Sequence, residues 1–409
     1  CKETSFSGNM ILEHSSVGVI VEAGGRAKLT QNQIKFNSVA GVKVNTGGDA
    51  LLDANTIGGP QVSPGSPVNG NTTAGPSTAG GKTAGTGTTG TAGPSTAGGN
   101  SPLQSISDDS TNTLGPTLNG HPESSSSASR QPIGVWFLEN ATGSVVNNSI
   151  IENGCVGVLI QSQANPNLQG NGILRNGGDG VCVSECGRGV LTENTISGNK
   201  VGCTVSSGGS PELEDNEISS SSLHGIHVTG PASTGKFLGN TVSASSDAGM
   251  LVTDGGQPYA KANVIKRSGK AGVRVAEKGL GLFVENEIVR SECGVGVEVL
   301  DAGSAPDFEG CKVSKNGGGG ILVRTGAAGT YCTNTIFENF VFGVRVDTGA
   351  DPVFLDSNEI LDTVGSGIVV AAGGLGTFRE NRIIGSGVLP GGSGEEPGIV
   401  FSETATGGG

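Results

Sequence analysis

Residues 180–199 read GVCVSECGRGVLTENTISGN. Short β-branched runs alternate here with glycines, two cysteines stand at 182 and 186, and an asparagine precedes Thr195-Ile196. The stretch is too irregular for an amphipathic helix and too short for a hairpin. It can be a metal or redox site, a glycine-rich phosphate loop, or one unit of a longer repeat.

The rest of the chain chooses between these. The pattern N-x-(I/V) recurs at Asn9, Asn32, Asn55, Asn148, Asn171, Asn194, Asn216, Asn240, Asn263, Asn286, Asn334, Asn358 and Asn381, with Cys311 in the one remaining slot. Apart from a single jump, the spacing is 22 to 25 residues. An apolar side chain stands three residues before each slot, as at Leu168, Leu191 and Leu213, and another two residues after it, as at Ile173, Ile196 and Ile218. About nine residues after each slot comes G-(V/I)-x-V, as in Gly272-Val273-Arg274-Val275. Fourteen units of about 23 residues result.

Inside each unit the apolar positions alternate over three to five residues between glycine, serine and aspartate, which is the period of short strands broken by turns. A unit with about four inward side chains cannot bury a core alone, so successive units must stack. Stacked equivalent strands make parallel sheets with about 4.8 Å per step, roughly 60 Å over the whole series. Parallel crossovers favour the right hand. The expected fold is therefore all-β, a single-stranded right-handed parallel β-helix of about fourteen coils. A leucine-rich repeat, of similar period, is disfavoured because its LxxLxLxxN spacing and helical return are missing.

The asparagine is expected to take a left-handed turn conformation and to bond its amide to the same amide one coil away, forming an internal ladder. The glycine before each V-x-V reads as a tight turn. Pro166, Pro211, Pro258, Pro306 and Pro352 precede the first apolar slot of alternate coils, so the full unit is a pair of coils. The jump from Asn55 to Asn148 holds two copies of TAGPSTAGG and few charges, a composition that cannot bury enough apolar surface to order itself. The chain divides into N-terminal coils 1–58, a disordered Gly/Ser/Thr/Ala/Pro-rich insertion 59–129, main coils 130–402 and a tail 403–409.

Composition limits function. The formal net charge is −13, and no basic patch is interleaved with aromatics, which argues against nucleic acid. No apolar run approaches the roughly 20 residues of a membrane span, and no signal peptide is visible. Eight scattered cysteines without a CxxC read as free thiols, favouring an intracellular place over a secreted one. Four histidines with no close Cys/His pairing imply no metal, and nothing implies a cofactor.

The runs NPNLQGNGILRNGGDGVCV, ECGRGVLTENTISGN and GGSPELEDNEI resemble the right-handed parallel β-helix repeats of the F-box-only protein eleven family, which alternate proline-containing and GRG-x-L-x-E-N coils. The resemblance covers all fourteen coils and leaves out the insertion. It implies a non-catalytic substrate-recognition or adaptor region of a ubiquitin-ligase-type F-box protein, with a protein partner. The wider group of such repeats includes carbohydrate-binding proteins and sugar hydrolases, so a carbohydrate partner and a structural scaffold stand as alternatives. Polygalacturonase-like enzymes carry NTD, DD, GHG and RIK, but here the only DD is Asp108-Asp109 and the nearest to GHG is Leu223-His224-Gly225. Where alginate epimerases read DPHE, this chain reads Asp351-Pro352-Val353-Phe354. No catalytic residue is assigned. Binding must use the outer faces of the sheets. In each G-V-x-V the third residue points outward, and Trp136, Leu159, Cys182, His227, Arg274, Glu298 and Arg345 form the candidate binding row.

Overall fold

The computed structural model describes residues 3–59, 131–387 and 397–401. The insertion 59–129, apart from its first residue, and the tail 403–409 lie outside the described residues. The described chain forms three parallel sheets of 14 strands each. The first runs from Thr4–Ser7 to Thr377–Phe378, the second from Met10–Leu12 to Arg382–Ile384, and the third from Val17–Val21 to Ile399–Phe401. Every coil contributes one strand to each sheet, so each strand pairs with its counterparts in the coils before and after. The helix is continuous across the insertion, because Asp49–Asp53 pairs directly with Thr142–Val146 and Ala40–Val44 with Ile133–Phe137.

Register follows the repeat. Leu168 pairs with Val145 and Leu191, Ile173 with Ile150 and Ile196, and Val158 with Val135 and Val181. These columns are fully buried and merge into one continuous core. Near the C-terminal end the first column turns aromatic: Phe283, Phe308, Tyr331, Phe354 and Phe378 stack with ring centroids 4.4 to 5.6 Å apart. The stacking distance is set by coil spacing, and it falls in the range where offset aromatic pairs attract.

The asparagines line the corner between the first and second sheets. Asn171 donates its backbone N–H and its Nδ2 to Asn194 Oδ1, both at 2.9 Å, and Nδ2 also reaches Val145 O at 2.7 Å. Asn194 repeats this one coil on, at 2.9 Å to Asn216 Oδ1 and 3.0 Å to Leu168 O. The left-handed residue, however, is the one before the asparagine: Gln31, Ala54, Glu193, Asp215 and Glu285 have φ between 52° and 56°. The turn is made one position earlier, leaving the asparagine immediately before the next strand with its amide directed inward. The price falls on residues whose side chains face solvent.

The glycine of G-V-x-V is also placed differently from expectation. Gly157 lies inside the strand Val156–Ile160 and Gly41 inside Ala40–Val44, and neither has positive φ. A Cβ on Gly157 would stand 2.6 Å from Gly180 O, 2.7 Å from Ile173 Cγ2 and 2.8 Å from Asn176 Nδ2. The glycine is needed for close approach between coils, and not for a turn.

A second ladder, at the corner between the second and third sheets, was not foreseen. Asn37 Nδ2 donates to Gln131 Oε1 at 3.0 Å, Gln131 Nε2 to Asn153 Oδ1 at 3.0 Å, Asn153 to Asn176 at 2.9 Å, and Asn176 to Asn199 at 3.0 Å. It lies five residues after the first ladder, as Asn148 and Asn153 or Asn171 and Asn176 show.

Cys311 is the weak rung of the first ladder. Its N–H still donates to Asn334 Oδ1 at 2.8 Å, but Asn286 Nδ2 meets only its sulfur, at 3.8 Å. Cys311→Asn should restore the rung and raise stability by about 1 kcal/mol, a typical net hydrogen bond. Gly157→Ala should lower it by about 1–3 kcal/mol through overpacking. Urea denaturation of both variants against the parent checks these shifts.

Candidate binding face on the third sheet

The outward residues of the third sheet form one unbroken file. Pairing joins Lys43 to Trp136, Trp136 to Leu159, Leu159 to Cys182, Cys182 to Thr204 and Thr204 to His227. It continues from His227 to Leu251, Arg274, Glu298, Leu322 and Arg345. All seven residues of the candidate row therefore share a face, but they do not share an environment.

At the N-terminal end, Trp136 is half-buried. Lys43 Nζ sits 4.6 Å from the centre of its ring, and its indole Nε1 donates to Gln161 Oε1 at 3.1 Å. Leu159, only 5% exposed, packs with Ala40 and Ile133 in a small external apolar cluster that Trp136 and Cys182 border. Burial first, then the charge of Asp179, pushes the Cys182 thiol up to about 12, so it is no thiolate. Burial also raises the Asp179 carboxyl, against a hydrogen bond with Thr204 and the charge of Lys200.

The middle of the face is imidazole and hydroxyl. The rings of His224 and His227 lie 5.6 Å apart. His227 Nε2 meets Thr253 Oγ1 at 2.9 Å, and that hydroxyl donates to Thr229 Oγ1 at 3.0 Å. His224 Nδ1 accepts the Ala248 N–H at 3.4 Å, which leaves its proton on Nε2 in the neutral ring. Burial pushes His224 down to about 4, against Asp247 and with help from Arg274 and Lys270. Burial and the neighbouring His224 push His227 down to about 4 as well. Both rings are neutral at pH 7.

Next comes a chain of charges. Arg274 Nε donates to Glu298 Oε2 at 2.6 Å and its Nη1 to Asp247 Oδ1 at 3.0 Å, while Arg324 Nη2 donates to Glu298 Oε1 at 2.7 Å. Lys270 Nζ adds a longer contact to Asp247 at 3.5 Å. Glu298, with its side chain 8% exposed, is thus a structural anchor for two guanidiniums and not a free surface carboxylate. Arg345 stands apart, bonded to Asp347 at 2.7 Å. Asp247, Arg324, His224 and Thr253 belong to this site although they lie off the row. Among the described residues, no three His, Cys, Asp or Glu side chains come together as metal ligands would.

The sequence pattern described as the right-handed β-helix region matches residues 133–288 and 260–406. The chain belongs to the right-handed β-helix family. No curated protein matches it. Solved structures of low similarity include the periplasmic alginate epimerase AlgG, with 11% identity, 94% of this chain and 76% of that one covered, and a TM-score of 0.48. A hyper-glycosylated TibA fragment shows 16% identity over 97% of this chain and 100% of that one, with a TM-score of 0.45. Pectate lyase Pel9A shows 13% identity, 63% and 72% coverage, and a TM-score of 0.37.

The two histidines set a pH dependence for this β-helix. An unfolded imidazole binds its proton near pH 6.5 and the folded ones near 4, so between these values the unfolded chain holds more protons. Stability should be fully present above pH 6.5 and fall as the pH drops towards 4. The double variant His224→Gln, His227→Gln should show a flatter stability profile between pH 7 and 4 in thermal unfolding.

Proposed function

We propose that the outward face of the third sheet is a non-catalytic carbohydrate-binding surface, on which an extended, hydroxyl-rich glycan lies along the coil axis. The observation that carries this is the chain Lys270, Asp247, Arg274, Glu298, Arg324, continued by His224, His227 and Thr253. Apart from Lys270, its side chains are planar or short, held by one another, and offer donors and acceptors side by side. Such a surface meets sugar hydroxyls, which both donate and accept, without the cost of ordering flexible side chains on binding. Lys270, Arg274 and Arg324 against Asp247 and Glu298 leave one net positive charge in the centre, on a chain whose formal net charge is −13, which suits a neutral glycan better than a polyanion.

The adaptor reading needs different features. Protein hot spots centre on Trp, Tyr and Arg anchors offered to a partner. On this face the Trp136 ring carries the Lys43 ammonium, Arg274 is tied to both Asp247 and Glu298, and Leu159 and Leu251 are only 5% and 9% exposed. The polar network supports the carbohydrate reading over that of an F-box-type substrate receptor.

A glycan array followed by affinity electrophoresis in gels containing the retained polysaccharide tests this. Arg274→Ala should weaken binding at least tenfold, about 1.4 kcal/mol, and Thr253→Val less, while Arg345→Glu should bind as the parent does. Circular dichroism confirms folding of each variant. If no glycan is retained, or if Arg274→Ala binds like the parent, the proposal is wrong. Capture of a protein partner through this face would return the adaptor reading.

A further inference from the structure

The second ladder changes character behind the polar part of the binding face. After Asn153, Asn176 and Asn199, its next four positions are Ser221, Ser245, Ser268 and Ser291, and the asparagines resume at Asn316 and Asn339. All four serines are 1–2% exposed, and none of their hydroxyls has a hydrogen-bond partner within the protein. A buried hydroxyl without a partner carries a substantial cost, and four in successive coils call for a common cause.

The asparagine coils show what is missing. There, the N–H of Asn153 donates to Asn176 Oδ1 at 3.0 Å and that of Asn176 to Asn199 Oδ1 at 2.9 Å. The carboxamide also donates back to the preceding coil, Asn199 Nδ2 to Ile173 O at 3.0 Å and Asn316 Nδ2 to Ile288 O at 3.5 Å. By the same periodicity, the amides of Asn199, Ser221, Ser245 and Ser268 face a serine in the next coil, and the carbonyls of Ile196, Ile218, Val242 and Ile265 stand where Ile173 O stands. Each coil thus offers a hydroxyl, an N–H and a carbonyl around the place of a lost carboxamide.

We propose that this column is a binding site for four internal water molecules, one per coil, each taking the place of an asparagine carboxamide. A buried water makes about three hydrogen bonds, and its share of volume is about 30 Å³, of the order of the group removed. Coils repeat at about 4.8 Å, too far for adjacent waters to bond directly, so the serine hydroxyls link them into a file. The file runs through the coils that carry His224, His227, Asp247 and Arg274 outward, so the wall behind the face is hydrated where the corner on either side, at Asn153 to Asn199 and at Asn316 and Asn339, is knit by amides.

Oxygen-17 magnetic relaxation dispersion, which reads long-lived internal water, tests the inference on the full chain. The quadruple variant Ser221→Asn, Ser245→Asn, Ser268→Asn, Ser291→Asn should lose the signal of four waters relative to the parent. Should it not fold, Ser245→Asn alone should lose one. A crystal structure of the parent should show density within hydrogen-bond distance of Ser245 Oγ and Ser268 Oγ. Equal dispersion in the parent and the folded variant, or serine hydroxyls bonded directly to protein atoms with no density beside them, overturns it.

Discussion

Inside the unbroken run from Asn32 to Asn263, each asparagine of the first ladder accepts two hydrogen bonds from the coil before it and gives two to the coil after it, and the rest of the molecule depends on that exchange. A parallel strand of three residues fixes little by itself. The ladder holds successive coils at one register, because a slip would leave the inward amide and the backbone groups it serves unpaired in a dry interior. With register held, apolar columns close the core, and one kind of side chain can stand over itself for the length of the helix.

The same strictness makes the candidate binding face. Outward positions of the third sheet lie in line because the glycine two residues earlier lets coils approach closely, as the contacts awaiting a Cβ on Gly157 show. Charges spaced by one coil can then pair along the axis. Arg274 between Asp247 and Glu298 is such a pairing, and it turns isolated surface charges into a fixed array. Burial of the two imidazoles keeps that array free of added positive charge at neutral pH.

The fold was legible because its determinants repeat: thirteen asparagines and their apolar neighbours state the coil length directly. The outward row was legible for the same reason. Three things were not. The left-handed residue lies before the asparagine and varies freely among Gln, Ala, Glu and Asp, since its side chain faces solvent and only its backbone is constrained. The second ladder mixes Asn, Gln, Ser and Thr, so it leaves no single-letter signature. Asp247 lies off the row, in the turn before its strand, and only the packing of that turn brings it to Arg274; Arg324 lies two residues beyond Leu322 on the same strand and reaches Glu298 across the coil. For the same reason Glu298 read as a surface charge. Cys182 and Cys186 are a half-buried strand residue and an exposed turn residue of two different columns.

The dependence of the structure on the ladder is tested most directly at Asn194, in the middle of an unbroken run of rungs. Asn194→Ala removes the acceptor of both Asn171 donors and the donor to Leu168 O. Urea denaturation of this variant should show a loss of about 3 kcal/mol or more, the sum expected for several orphaned buried groups. A loss below about 0.5 kcal/mol, the level of an ordinary surface substitution, would contradict the account.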